Sequence, residues 1–481
     1  MNIFLKNHSY FYEVQSVLQI FFPNIIYNQL ENENNFLLYD FLLVSEYIES
    51  ENSFETIIYE KGKKLNVEKV LIIYKNNKRA LKISTYKALC LYSKMTPKWG
   101  ILTGIRPTKI LYNYLDTLED IELENHLIDN YLIDKEKATL TRIVAKKEKM
   151  ILEKDKEEGY HMYINIPFCK TKCIYCSFTS FSIDKYEKNG MSSVYVDNLI
   201  KELEENSNLF SQRKLKSIYI GGGTPSSIAT YDIDKLLKTI EKNYDLSNLL
   251  EYTFEAGRAD TITFDKLNVL KKYKVNRISI NPQTMNNDTL KAINRNHSVE
   301  DFLNVYNLIK SLDFEIVNVD LIYGLVGENM KDFKKSLGDV MKLEPESITI
   351  HTLSVKRGST LKDKYDNNEI YKRKEIVDTE TLPLNLLFEK EYSPYYLYRQ
   401  KNMIGNSSLE NTGFSKKGFE CLYNVISMEE TEDIVGFGAG ATSKRCFENN
   451  RLERTFNVVG VEEYILRIDE MIERKRELFT L

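Results

Sequence analysis

Three cysteines fall within eight residues, Cys169, Cys173 and Cys176, directly after the run Tyr163-Ile164-Asn165-Ile166-Pro167-Phe168. A CxxxCxxC spacing offers three thiolates to one small inorganic cluster. A cubane iron–sulfur cluster has four irons and usually takes four cysteine ligands, so three ligands leave one iron open to bind a small molecule. A structural zinc would need a fourth soft ligand close by. The nearest histidine, His161, lies just ahead of the strand body and would have to bend back along it. An odd trio cannot close as disulfides, and nothing else points to an oxidising compartment. Cys90, Cys421 and Cys446 are scattered and read as small packing residues.

A second group follows a second strand-like run. Lys216-Ser217-Ile218-Tyr219-Ile220 leads into Gly221-Gly222-Gly223-Thr224-Pro225. Glycines after a strand let backbone amides approach a ligand without Cβ interference. The Thr224 hydroxyl and exposed amides can then bind an ammonium or carboxylate end. Three glycines alone would suit any turn. Further polar residues stand at or just beyond the ends of later apolar runs: Glu255, Gln283, Asp320 and His351, with Arg295 ahead of a helix at Asp301. Parallel βα folds collect their chemistry at strand C-termini. Each of these residues alone reads as ordinary rim polarity. All six rim ends carrying such groups favours a site.

The elements that must hold this rim are legible as alternation. Strands read at Tyr163–Ile166, Ser217–Ile220, Glu251–Glu255, Arg277–Asn281, Ile316–Leu321 and Ser347–His351. Amphipathic helices read between them at Val194–Phe210, Ile233–Lys242, Asp265–Lys274, Asp301–Leu312 and Met330–Leu343. That order predicts an α/β fold with a parallel sheet. Residues 1–150 read as an N-terminal α/β or α+β domain, with strands at Leu37–Ser45 and Lys69–Tyr74 and a charged helical connector over Ile121–Lys156. Residues 151–355 hold the βα repeats, and residues 356–481 read as a C-terminal accessory domain behind a charged linker, Lys356–Lys374. No solenoid-type repeat is visible.

Composition narrows the class. A chain of 481 residues suits two or three domains, and 42% hydrophobic with 28% charged residues is ordinary for a soluble protein. A net charge of −4 supplies no global basic field for nucleic acid. No run approaches the ~18–20 apolar residues of a membrane helix. The start, MNIFLKNHSYFYEV, lacks a signal-peptide pattern. The expectation is a cytoplasmic, reducing location, which suits a thiolate-held cluster.

The segment YINIPFCKTKCIYCSFTSF, from Tyr163 to Phe181, resembles the cluster loop of radical S-adenosylmethionine (SAM) enzymes. More narrowly it resembles the oxygen-independent coproporphyrinogen III oxidase group, which includes related haem chaperones. The resemblance implies an open (β/α)6 barrel and a 4Fe–4S cluster on Cys169, Cys173 and Cys176. SAM would chelate the open iron and be split to methionine and a 5′-deoxyadenosyl radical. GGGTP matches the family's SAM loop, which assigns Gly222, Gly223 and Thr224 to SAM. Tyr175 matches the aromatic position whose backbone meets the adenine, with a core aromatic under the loop as its alternative. Tyr163, Glu255, Gln283, Arg295 and Asp320 match further SAM-contacting positions, some of which hold a second SAM in the oxidase. One or two SAM molecules remain open at this point. Ser354 stands where the oxidase has a small residue. Phe178 replaces a further cysteine of the oxidase proper, a pattern shared with the haem chaperones.

The flanks extend the resemblance. KWGILTGIRPTKIL (98–111), YYLYRQKNMIGN (395–406) and MEETEDIVGFGAGATSK (428–444) are similar to a longer branch described as coproporphyrinogen dehydrogenase. A substrate with four propionates calls for Arg and Lys donors, since guanidinium forks match carboxylates. Arg106, Lys109, Arg399 and Lys401 are the candidates outside the barrel, and Gly436, Gly438 and Gly440 could bring amides near a ligand. The implied reaction is oxidative decarboxylation of coproporphyrinogen III to protoporphyrinogen IX. A low-potential donor such as flavodoxin or ferredoxin would be the partner. A haem-binding chaperone and a radical SAM enzyme acting on another tetrapyrrole are the alternative readings.

Overall fold

The computed structural model describes residues 1–23, 25–32, 39–72, 76–154, 158–354, 356, 358–361, 384–400, 409–448 and 451–480. Lys401 and most of the stretch 356–374 lie outside the described residues. The chain divides into two compact units. One holds residues 1–146 with part of 397–410, and the other holds residues from 147 onward, including 411–481. Among the described residues no helix is long and apolar enough to cross a membrane.

The first unit is α+β. Its strands are β1 (Asn2–Lys6), β2 (Asn28–Leu30), β3 (Phe41–Ile48), β4 (Ser53–Glu60) and β5 (Lys63–Leu71), in the order β2-β1-β3-β4-β5. Helices α1 (Phe11–Phe21) and α2 (Asn77–Ser93) place Val14, Leu18, Leu81 and Leu89 in one core with Leu43 and Ile58. The expected single connector is two helices, α3 (Asp120–Tyr131) and α4 (Lys135–Glu153). Glu119 and Glu122 form a capping box at the start of α3, and Leu132, at φ 56°, ends it in the left-handed region. Within this unit Lys137 Nζ donates to both oxygens of Glu410, at 2.9 and 2.7 Å, and Trp99 Nε1 donates to the same carboxylate at 3.3 Å. A buried carboxylate demands this degree of pairing.

The second unit is an open βα barrel. Its parallel strands are β6 (Gly159–Ile166), β9 (Lys214–Gly222), β10 (Glu251–Gly257), β11 (Arg277–Ile280), β12 (Ile316–Tyr323) and β13 (Ser347–Thr352). Two short strands, β7 (Phe168–Cys169) and β8 (Phe181–Ser182), pair separately. Helices α5 (Ile183–Glu187), α6 (Met191–Asn206), α7 (Thr230–Asn243), α8 (Phe264–Lys272), α9 (Asn287–Ala292), α10 (Val299–Ser311) and α11 (Met330–Lys342) cross between the strands. Each read strand and helix is present within a few residues. The central strands are buried on both faces, so their sequences are near-continuous apolar runs. Helix starts are written locally as well: Ser298 with Asp301, and Asn329 with Asp332, form capping boxes at α10 and α11.

Residues 411–481, expected within a third unit, add strands to both edges of this sheet. They supply β15 (Asn411–Ser415), which runs antiparallel to β13, and β16 (Asp433–Phe437), which runs parallel to β6. With β14 (Ser393–Tyr398), β17 (Thr442–Cys446) and β18 (Leu452–Phe456), the sheet order is β14-β15-β13-β12-β11-β10-β9-β6-β16-β17-β18. A buried network binds the last helix, Ile468–Thr480, to α6. There Glu202 accepts from Lys475 Nζ, Asn457 Nδ2, Tyr464 Oη and the Gly438 amide.

Candidate functional site

The cysteine loop leaves the C-terminal end of β6, and the β7–β8 pair closes its neck. Between them the chain leans on the loop after α9. Ile174 N donates to Ile293 O at 3.2 Å, Thr171 Oγ1 to Asn294 O at 3.1 Å, and Asn294 Nδ2 to Lys172 O at 2.8 Å. Cys173 is buried, while Cys169 and Cys176 are partly exposed. Burial pushes the Cys176 thiol up to about 11 and raises that of Cys169, against which the Thr224 and Ser180 side chains and, more weakly, Arg258 act. Among the described residues no three His, Cys, Asp or Glu side chains gather closely enough to hold a single metal ion. In a cubane each thiolate takes a different iron, so its ligands need not converge on one point. His161 lies inside β6, bonded through Nδ1 to Ser217 Oγ at 2.7 Å and 3.5 Å from Glu432, and is no ligand to this loop.

The glycine shelf works differently from the expectation. Two of its amides are already engaged: Gly223 N donates to Ile166 O at 2.9 Å and Thr224 N to Phe168 O at 2.7 Å. The Glu255 carboxylate lies against the same turn, its Oε2 2.8 Å from where a Cβ on Gly221 would stand. What demands glycine is close packing against the strand that feeds the cysteines. A Cβ on Gly222 would sit 1.9 Å from Asn165 Oδ1, with φ at +115°, and one on Gly223 would sit 2.6 Å from Phe168 O. The Thr224 hydroxyl lies 3.4 Å from Cys169 Sγ and donates to it. The shelf and the cysteine loop are one packed object.

Beside it lie the carboxylates. Glu255, near the end of β10, accepts from Tyr219 Oη at 2.6 Å, and burial first, then Asp320, raise it to about 7. Asp320 accepts from Asn318 Nδ2 at 2.7 Å and faces His351 Nε2 at 3.7 Å. Tyr163 and Tyr219 stack with Tyr423 from the helix Leu422–Glu429, with centroids 4.7–6.2 Å apart. That helix is seated by Glu251, which accepts from the Leu422 and Tyr423 amides. Tyr423 carried no motif and was invisible in the sequence.

Gln283 has a left-handed backbone, φ 70°, with its amide bonded to Asp320 O and its carbonyl to Ile322 N. Such strain in a non-glycine residue collects at functional sites. Its side-chain oxygen is buried without a hydrogen-bond partner. Arg295 is buried, donates through Nη1 to Asn281 O, and leaves Nε unpartnered. Burial works to lower its basicity, but Tyr175 and Cys173 facing it raise it overall. His297 is buried and pushed down to about 4 by desolvation and then by Arg295. Three thiols on one loop, an orphaned amide oxygen and an orphaned guanidinium NH in one rim fit a cluster with a small zwitterionic ligand.

Of the four basic candidates outside the barrel, Arg106, Lys109 and Arg399 belong to the first unit. Arg106 is half-buried, Lys109 is exposed, and Lys401 lies outside the described residues. Arg399 departs from the expectation of an outward clamp. It is buried, donates through Nη1 to Leu102 O at 2.5 Å, and lies 4.9 Å over the Trp99 ring. Burial drops it to about 10. Its chemistry is directed at holding the segment that contains Trp99. The glycines of the third flank are also engaged internally. Gly436 N donates to Ser443 Oγ, Gly438 N to Glu202 and Gly440 N to Val458 O, so none of these amides is open to a ligand.

The Radical SAM superfamily profile matches residues 163–340. The chain is 40% identical over 378 residues to the oxygen-independent coproporphyrinogen-III oxidase-like protein HemZ of Bacillus subtilis (strain 168), covering 77% of this chain and 74% of that protein. It is 30% identical over 310 residues to the heme chaperone HemW of the same organism, covering 64% and 76%. Among solved structures it matches the coproporphyrinogen III oxidase HemN of Escherichia coli, a radical SAM enzyme, with a TM-score of 0.52 at 20% identity over 67% of this chain and 72% of that one. At that identity the likeness carries the fold. A barrel rim bearing CxxxCxxC beside GGGTP, together with the alignment to HemZ, identifies the chain as a member of the radical SAM superfamily in its oxygen-independent coproporphyrinogen III oxidase-like group, a family that works with a 4Fe–4S cluster and SAM.

Proposed function

We propose that this protein carries out the oxygen-independent oxidative decarboxylation of coproporphyrinogen III to protoporphyrinogen IX. The observation that carries the reading is the 40% identity across 378 residues with a coproporphyrinogen-III oxidase-like protein, against 30% across 310 residues with a heme chaperone. Each of two propionates loses a β-hydrogen atom and carbon dioxide and passes one electron to an external one-electron acceptor, which leaves a vinyl group. When bound, the cluster and SAM supply the 5′-deoxyadenosyl radical that takes the hydrogen atom.

The chain's own residues hold and orient. Cys169, Cys173 and Cys176 are the ligand set, and Gly222 and Gly223 keep their loop seated against Asn165 and Phe168. Glu255, with a carboxyl near 7, can hold or release a proton within the working pH range. Tyr163, Tyr175, Thr224, Gln283, Arg295 and Asp320 complete the proposed cofactor cradle, with Arg106, Lys109 and Lys401 as candidates for a propionate. Room for a second SAM, a low-potential electron donor such as flavodoxin or ferredoxin, and a cytoplasmic setting belong to the same proposal.

A second reading is a haem-delivering chaperone, favoured by Phe178 two positions after the third cysteine and by the HemW alignment. Anaerobic incubation of reconstituted protein with SAM, a reductant and coproporphyrinogen III separates the two. Product lighter by two carboxyl groups supports the oxidase. Stoichiometric haem binding without any turnover would replace it with the chaperone.

A further inference from the structure

The loop between Cys169 and Cys173 is held from the side by one buried guanidinium that no cofactor assignment includes. Arg258 follows Gly257 at the end of β10 and is 2% exposed. Its Nη1 donates to Thr171 O at 3.2 Å and to Thr171 Oγ1 at 2.7 Å, inside the cysteine spacing. Its Nε and Nη2 form a fork on Asp260, to Oδ1 at 2.9 Å and Oδ2 at 3.0 Å. Asp260 also draws Lys170, the residue after Cys169, to 3.9 Å. One rigid plane therefore ties the tip of the cysteine loop to the rim of β10. A lysine could not span both partners, because the fork geometry is what reaches Asp260 and Thr171 together.

The same contact brings charge. A fully reduced cluster carries one more negative charge than its oxidised form, and its potential responds to nearby net charge and hydrogen bonding. In a buried environment a fixed cation favours the more negative state. Asp260 offsets that cation in part, so the pair forms an adjustable local field.

From this geometry we infer that Arg258, set by Asp260, is a positioning residue that orders the Cys169–Cys173 loop and raises the reduction potential of the cluster held there. The inference rests on the cysteine trio holding a cluster, and wild-type iron content tests that premise separately. The experiment is a redox titration of the anaerobically reconstituted full chain, read by the electron paramagnetic resonance of the reduced cluster. Arg258→Met is expected to shift the oxidised-to-reduced ratio at fixed potential about tenfold toward oxidised, or ~59 mV for one electron. Asp260→Asn is expected to shift it the opposite way, because the cation is left less compensated. Arg258→Lys keeps the charge and is expected to stay near the wild-type potential while losing cluster faster to a chelator. Simple damage to the loop would not produce shifts of opposite sign. Should Arg258→Met fail to take up cluster, Asp260→Asn still decides. An unchanged or lowered potential in Asp260→Asn, or a wild-type potential in a cluster-replete Arg258→Met, overturns the inference. If the wild-type chain holds no cluster, the cofactor assignment itself has failed instead.

Discussion

Replacing Gly223 with alanine tests whether the glycine shelf and the cysteine loop are one packed object. The new Cβ would lie 2.6 Å from Phe168 O and 3.0 Å from both Phe168 C and Phe168 N. Backbone cannot swing aside as a flexible side chain does, so the strand carrying Phe168 and Cys169 must retreat. Relieving such overpacking costs about 1–3 kcal/mol. The two flanking bonds, Gly223 N to Ile166 O and Thr224 N to Phe168 O, are stretched by the same movement. Each contributes about 0.5–1.5 kcal/mol. The expected loss is therefore about 2–6 kcal/mol, which most domains of ordinary stability survive in weakened form. The assay is chemical denaturation of the cluster-free protein, with iron and sulfide content after anaerobic reconstitution. Gly223→Ala should lower the midpoint and reduce cluster uptake as well as SAM binding, because the collision falls next to Cys169. Gly338 in α11 is the control, since nothing lies within 4 Å of its added Cβ. Gly338→Ala should gain about 0.5–1 kcal/mol from helix propensity. A Gly223→Ala protein with wild-type stability and a full cluster would refute the packing argument, and loss of SAM binding alone would return the shelf to an amide-exposure role.

Alanine at Cys169, Cys173 or Cys176 should each abolish reductive SAM cleavage, whereas serine at Cys90 or Cys446 should leave iron content unchanged; a triad variant with normal SAM cleavage would disprove the ligand set. Glu255 is raised from the ordinary 4.5 to about 7, so its protonated form suits the fold and stability falls as pH rises between these values. Glu255→Gln should therefore be more stable than wild type at pH 8 by on the order of 1–3 kcal/mol, with the advantage vanishing below about pH 4.5; denaturation midpoints showing the same difference at every pH would contradict this. Lys475→Met leaves the fully buried Glu202 carboxylate without its cation and should destabilise by about 3–5 kcal/mol. Adding Glu202→Gln should recover part of the loss, and strict additivity in the double variant would refute the pairing. Arg399→Ala should lower the stability of the first unit by about 1–3 kcal/mol through the lost bond to Leu102 O and the lost cation–π contact; unchanged stability with lost substrate affinity would make it a clamp after all.

Cysteine spacing, the six barrel strands and the five long helices between them were legible because each is a local pattern. Three thiolates within eight residues are chemistry in one loop, and strands buried on both faces must be apolar throughout. The rim residues Glu255, Gln283, Asp320 and His351 followed from the same strands, since a βα repeat fixes which end faces the site. Partners distant in sequence were not legible. Thr171 and Arg258 lie 87 residues apart, and Glu202 and Lys475 lie 273 apart. Nothing in Gly223 announces that Phe168 is its neighbour, and nothing in Arg399 announces Trp99. An arginine read along the chain is a donor waiting for a carboxylate, but once packed over an indole and bonded to a carbonyl it is part of a core. Strands β15 and β16 show the same limit. Their short apolar runs permit a strand, but only the open edges beside β13 and β6, with unpaired backbone groups to satisfy, decide where each one goes.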